Sequence, residues 1–497
     1  FADPQFDTIA ARYAASRELN EAIAELVAAQ TMDDVVTEGQ RRGVPIAAVL
    51  TAAQALTSEH FRAVGALTQM QPGISVPVGP FLVDGEHAGY TDPAPALGTH
   101  QADWATVCAT TTTAGPSVGR PFDGMRILDL GVIVAGGELG RLFADLGAEV
   151  IKIESAAYPD GLRQTPPGQV MSRSWALTHR NEYSLGLDLR HESGAKVFEK
   201  LVAGADAVFA NFKPGTLASL GFSYERLREL NPRIVLAESS AFGAEGPWSA
   251  RMGYGPLVRA TTGVTSLWTS EDAPRGSFYD ATTIFPDHVS ARITAIGALA
   301  ALIGREHAGS GAHVHISQAE VAVNQLATAY VAEAARAAGL PVIDDPAVHA
   351  VYPCAGDDEW CVISMRNDAD RAALTAIIGD ADVAEWTRAR DKVDVAHLLQ
   401  HAGVPAAPMN RAIDVLTDRQ LTFRKVFSDM IHPLFDAPMP SETGPAPYRH
   451  IPPAELRPAP MPGEHTREIC QKLLAMDADE IDRLIADGVL FTHHGRS

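Results

Sequence analysis

Over residues 7–70 the apolar positions recur at helical spacing with few breakers, which predicts a series of helices. Residues 71–100 are rich in Pro and Gly and read as loops and short strands. Thr110–Arg120 (TTTTAGPSVGR) has the composition of a linker. The pattern then changes. Met125–Leu130 (MRILDL) reads as a strand, GVIVAGG at 131–137 as a glycine-rich turn, Glu138–Leu146 as a helix and Glu149–Ile153 (EVIKI) as a second strand. That order is a βαβ unit and predicts a parallel sheet. Further strands are expected at Tyr183–Leu189, Ala207–Ala210, Ile234–Glu238 and Val314–Ile316. Helices are expected at Gly194–Ala203, Ile293–Arg305 and, as one long element, Gln318–Arg336. The helix from Ile293 is mostly Ala, Gly, Ile and Leu and should be buried. Residues 350–390 carry the signals of a smaller α/β unit.

The pattern also repeats. GVPIAAVLTAAQALT at 43–57 and GVPAAPMNRAIDVLT at 403–417 share seven of fifteen positions without a gap, at an offset of 360. A period this long means whole domains in tandem rather than a solenoid. The chain then opens on the last part of one copy and carries a second from near Phe122 to Ser497. By the same offset the first copy starts about 240 residues before Phe1. The expected division is 1–105 as the tail of a first copy, 106–120 as linker, 121–325 as a large domain built on the parallel sheet, 326–405 as a small α/β domain and 406–497 as a C-terminal segment.

Composition narrows the function classes. The net charge of -21 argues against nucleic acid or an anionic membrane as partner, while leaving room for a small anion on a local basic patch. Cys108, Cys354, Cys361 and Cys470 fit no zinc or redox spacing and form no disulfide framework. No metal is expected, and a reducing cytoplasm is the expected compartment. The longest apolar run, Ile293–Gly304, is too short to span a bilayer.

The first βαβ unit invites a dinucleotide reading, but its turn is A-G-G-E-L-G rather than G-x-G-x-x-G. Phe278–Gly297 (FYDATTIFPDHVSARITAIG) is richer in chemistry. Asp287 follows Pro286 at the start of the apolar helix, where a carboxylate caps backbone N–H groups or serves as a reactive group at the positive helix end. Asp280 is a second carboxylate with a plain loop reading.

From Phe122 onward the chain resembles the class III CoA-transferases, the superfamily of formyl-CoA and carnitine CoA-transferases and α-methylacyl-CoA racemase. The resemblance rests on FDGMRILDL (122–130), ADLGAEVIKIE (144–154), NEYSLGLDLR (181–190), ANFKPG (210–215), LGFSYERLRELNPRIVLAESSAFGAEGP (220–247) and GALAALIGREHAGSGAHVHISQAE (297–320), in family order. The opening 100 residues resemble the family's C-terminal tail. The resemblance implies an α/β fold, with a Rossmann-like parallel-sheet large domain and a smaller α/β domain, as an interlocked dimer or, in a fused chain, a pseudo-dimer. It implies transfer of coenzyme A from an acyl-CoA to a carboxylic acid, with both as substrates and no permanently bound cofactor. The partner would be the missing N-terminal copy or a second chain.

Counting back from Leu299-Ala300-Ala301-Leu302, the family's nucleophile falls on Asp287, which would form an aspartyl-CoA thioester. The CoA site carried over by resemblance comprises Val134, Ala135, Leu187, Asp188, Arg190, Asn211, Phe212, Lys213, Ser240 and Phe242, with Arg190 and Lys213 as cations. Family basic positions are occupied here by Ser155, Ser219 and Ser240, and N-K-R-S reads Asn181-Glu182-Tyr183-Ser184. Two alternatives stand beside transfer. The second copy could be a structural half whose fused partner is catalytic. It could also be an acyl-CoA racemase, although the racemase stretch G-H-D-I-N-Y aligns with Gly253-Tyr254-Gly255-Pro256-Leu257-Val258, and a tyrosine is a poor proton shuttle near neutral pH.

Overall fold

A computed structural model describes residues 3–493 except 71–73, 90, 91, 93, 101–118, 166, 167, 271, 275, 281–284, 344–346 and 447. Most of the expected linker, and Cys108 with it, lies outside the described residues. The chain folds as two units. The first comprises 1–339, 430–439 and 448–497, and the second 340–429 and 440–447.

A nine-stranded sheet organises the first unit. Its strands are β1 (Leu82–Val83), β2 (Glu86–His87), β3 (Arg126–Asp129), β4 (Glu149–Glu154), β5 (Tyr183–Leu187), β6 (Ala207–Ala210), β7 (Val235–Ser240), β8 (His313–Ser317) and β9 (Leu490–Phe491). They lie in the order β9-β5-β4-β3-β6-β7-β8-β1-β2. The six central strands are parallel. Their order reverses between β3 and β6, as in doubly wound sheets, which bind ligands beyond the strand C-termini at that switch point. The outer strands β9, β1 and β2 are antiparallel. A hairpin from the opening segment therefore closes the β8 edge. Its Asp84 backbone N–H donates to His313 O, and its Oδ1 accepts from His313 N, both at 2.8 Å.

Strand periodicity sends alternate residues to opposite faces. Leu128, Ile151, Val208 and Leu236 join one buried cluster, and Ile127, Val150, Phe209 and Val235 the other. Helix α1 (Ile133–Asp145) and helix α2 (Phe285–Ala308) pack over the second face. A third cluster joins Ala55 and Phe61 of the opening segment to Phe242, Val258, Ala322 and Tyr330.

Three expectations change. The stretch GVIVAGG is not a turn, because α1 begins at Ile133. Its glycines let the helix lie close to its neighbours: a Cβ at Gly136 would meet Gly131 Cα at 2.5 Å, and one at Gly137 would meet His179 Nε2 at 2.6 Å. The helix expected over Gln318–Arg336 is two, Gln318–Gln325 and Ala327–Ala337, because Leu326 leaves helical geometry (φ -95°, ψ 19°). The second of these packs against Ala52–Leu56 and Ile74–Pro77 in the first unit, so the small unit begins at 340 rather than 326.

The second unit is a three-stranded antiparallel sheet (Val348–Pro353, Trp360–Met365, Ala406–Pro408) with helices Asp368–Ile378, Val383–Arg388 and Lys392–His401. Cys361, Ile363, Leu374, Val395 and Leu399 form its core. Asn367, Asp382 and Asp391 cap the three helices through their side chains.

The repeat in sequence has a counterpart in structure. Helices Met32–Arg41, Ala52–Leu56 and Glu59–Ala63 and strand Leu67–Met70 each start 360 residues before Lys392–His401, Ala412–Thr417, Arg419–Phe423 and Phe427–Met430. One side-chain tie recurs with them: Gln40 Nε2 donates to Ile46 O, and Gln400 Nε2 to Ala406 O, both at 2.7 Å.

Candidate active site

The loops after β3, β6 and β7 open a cleft at the switch point. Its walls include Ile133 and Ala135, Asn211 to Pro214, Ser240 to Phe242, and Arg251 to Tyr254. Asp287 and Gln318 also line it. Asp287 stands in the first turn of the 24-residue α2, where the macrodipole favours an anion. Gln318 Nε2 donates to Asp287 Oδ1 at 3.4 Å, while the buried Oε1 of Gln318 has no hydrogen-bond partner among the described residues. Burial raises the Asp287 carboxyl above its ordinary 3.8, opposed by the Gln318 bond and by the nearby His288 and Arg259. Gly255 makes room for the carboxylate, since a Cβ there would lie 2.3 Å from Asp287 Oδ2.

The residue after Asp287 ties the two helices together. His288 Nδ1 lies 2.5 Å from Oε2 of the buried Glu138 on α1, whose Oε1 takes Arg292 at 2.6 Å and Arg141 at 3.1 Å. Asp280, read in sequence as a plain loop residue, is 5% exposed and clasped by Thr265 Oγ1 at 2.6 Å and Arg259 Nε at 3.1 Å.

The expected CoA residues divide into two groups. Ala135, Asn211, Phe212, Lys213, Ser240 and Phe242 line the cleft with Asp287. Asn211 is spent on the fold: its Oδ1 accepts from Val132 N at 2.7 Å and its Nδ2 donates to Val132 O at 2.9 Å. This clamp precedes Ile133, which holds φ +57°. A β-branched residue rarely adopts that conformation. The Ile133 N–H is held by both carboxylate oxygens of Asp160, at 3.1 and 3.0 Å.

Val134, Leu187, Asp188 and Arg190 do not line the cleft. Leu187 is 1% exposed because strand alternation turns it into the core. Asp188 Oδ1 accepts from Arg190 N at 2.9 Å, and the Arg190 guanidinium lies over Tyr158, 4.0 Å from the ring centroid. Val134 is half-buried within α1.

Sequence reasoning missed Arg251 and Gln318. Arg251 is a single cation in an irregular stretch, with no spacing to mark it. It lies 4.9 Å from the Trp248 ring, and burial lowers its pKa. Gln318 reads as an ordinary first residue of a helix, and only the folded path of β8 brings it to α2. Among the described residues no helix is long and apolar enough to cross a membrane.

Comparison with known proteins follows the same outline. The family model described as "CoA-transferase family III" matches residues 1–101 and 122–466. A probable CoA-transferase of Mycobacterium tuberculosis is 56% identical over 99% of this chain, which spans 66% of that relative's length. A succinyl-CoA–D-citramalate CoA-transferase of Chloroflexus aurantiacus is 28% identical over 75% of this chain and 98% of its own. Among solved structures, a CAIB/BAIF family protein from Brucella suis superposes with a TM-score of 0.62 at 26% identity, over 71% of this chain and all of its own.

Proposed function

The chain belongs to CoA-transferase family III, and from that premise we propose that it moves coenzyme A from an acyl-CoA to a carboxylic acid through Asp287. The observation that carries this reading is the position of Asp287. It faces a cleft at the sheet's switch point, shares it with Lys213 and Arg251, and is the one carboxylate lining it among the described residues.

In the proposed cycle the Asp287 carboxylate attacks the thioester carbonyl. The C–S bond breaks, a mixed anhydride forms and CoA thiolate leaves. The thiolate attacks the aspartyl carbonyl, giving an aspartyl-CoA thioester and releasing the donor acid. The acceptor carboxylate attacks that thioester, forming a second anhydride and thiolate. The thiolate takes the acceptor's acyl group, and the Asp287 carboxylate is restored. Each step replaces a direct exchange between poor partners with a covalent one. Burial supports the chemistry by stripping water from the nucleophile, and Lys213 and Arg251 are the cations for the anionic substrates. Neither a permanently bound cofactor nor a metal takes part in this cycle.

The repeat at 360 residues supports reading the opening segment as the tail of a first family copy, fused to a second in a pseudo-dimer. A cytoplasmic location fits the soluble substrates.

Intact mass spectrometry after incubation with acyl-CoA, followed by hydroxylamine or borohydride, tests the proposal. A hydroxamate or alcohol at Asp287 supports it. An unmodified Asp287 across several acyl-CoAs, with turnover intact, would make this copy a scaffold.

A further inference from the structure

Behind the Ser240 wall of the cleft, three potential metal ligands converge from two strands. His313 and His315 stand two apart on β8, so both rings share one face of the sheet. Glu238 on β7 is the register partner of His315 in that parallel pair. The ligand atoms of Glu238, His313 and His315 all lie within 4.8 Å of one another. His313 Nε2 is already 2.8 Å from Glu238 Oε2. The Tyr224 ring stacks on His313, with centroids 5.2 Å apart, and fixes its plane. The three residues line a single depression together with Tyr224 and Glu225.

His315 supplies a second observation. It is 6% exposed, its Nε2 shares a 2.9 Å hydrogen bond with Ser240 Oγ, and its buried Nδ1 has no partner among the described residues. A buried imidazole nitrogen left unpaired loses its hydration without return.

We propose that Glu238, His313 and His315 form a binding site for a divalent first-row transition ion, with Zn²⁺ as the probe of choice. Two imidazoles and one carboxylate are a donor set suited to such ions rather than to Mg²⁺ or Ca²⁺. On binding, the cation replaces the proton shared by His313 and Glu238. The ion would fasten β7 to β8 beside the residues that carry Ser240 and Gln318 to the cleft. Cysteine spacing could not reveal such a site, because its ligands are brought together by strand register.

Isothermal titration of the metal-stripped full chain with Zn²⁺, with Co²⁺ absorption as a second readout, tests the site. The expected result is one ion per chain, with a Kd on the order of micromolar or tighter and ligand-field bands typical of low coordination number. Glu238→Gln and His313→Ala, both at partly exposed positions, should each weaken binding at least about tenfold, and together about a hundredfold. Circular dichroism of both variants excludes unfolding as the cause. Absence of stoichiometric binding, or equal affinity in wild type and folded double variant, would show a histidine–glutamate ion pair only and overturn the proposal.

Discussion

Gln318 Nε2 reaches Asp287 Oδ1 across 3.4 Å, joining the first residue after strand β8 to the first turn of helix α2. This bond favours the ionised carboxylate, whereas burial disfavours it. Gln318→Ala should raise the Asp287 pKa further and move the acid limb of the kcat/KM profile to higher pH. A hydrogen bond to a charged group is worth about 1.5 kcal/mol or more, so its loss should be visible as a displaced acid limb. An unmoved acid limb would mean that Gln318 does not act on Asp287.

Asp287→Asn should cost at least about a thousandfold in turnover, because the amide cannot form the covalent intermediate. It should also change the pH dependence of stability. The native carboxyl titrates above its unfolded value of 3.8, so the native state binds more protons in that window. Wild-type stability relative to the Asn variant should therefore fall as pH rises from 3.8 through the native pKa, and level off beyond it. Melting curves of the pair across acid pH would expose the opposite slope if the carboxyl were stabilised as an anion.

Gly255→Ala places a methyl group 2.3 Å from Asp287 Oδ2. Something must move, and the carboxylate is the nearest group. A loss of about 1–3 kcal/mol is expected, divided between stability and the barrier. Wild-type kinetics and melting in this variant would show the backbone yielding instead.

Lys213 and Arg251 face the cleft, whereas Arg190 lies on Tyr158. Lys213→Ala and Arg251→Ala should each raise KM for acyl-CoA roughly tenfold, with a weaker salt dependence and little change in kcat. Arg190→Ala should leave KM within twofold, by about 0.4 kcal/mol or less. Initial rates at low and high ionic strength separate the three.

Asn211→Ala removes both hydrogen bonds to Val132 and leaves its backbone groups to find other partners. A cost of about 1–3 kcal/mol in chemical denaturation is expected. Unchanged denaturation would mean that Asp160 alone holds the start of α1.

Much of this architecture is written in local pattern. The strands of the parallel sheet follow from short apolar runs, and the βαβ order follows from their spacing. Asp287 was singled out through the family resemblance, which sets the nucleophile a fixed distance before an apolar helix, and the fold brings it to the cleft. The glycines at 136 and 137 misled because a glycine at a turn and one at a close helix contact look alike in sequence. Leu187 lies in the core rather than in the cleft for a related reason: a motif names neighbours along the chain, while strand alternation decides which of them faces the cleft. Arg251 and Gln318 left no local mark, since each acquires its role from a residue distant in the chain.

The hairpin of β1 and β2 closes the β8 edge with backbone hydrogen bonds. A recombinant piece beginning at Phe122 would carry every cleft residue named above, yet it would leave β8, still paired with β7, without its hairpin partner along Val314 and His315. Such edges recruit other chains. The piece should therefore be sticky rather than merely less stable, and the opening segment doubles as a built-in guard against self-association.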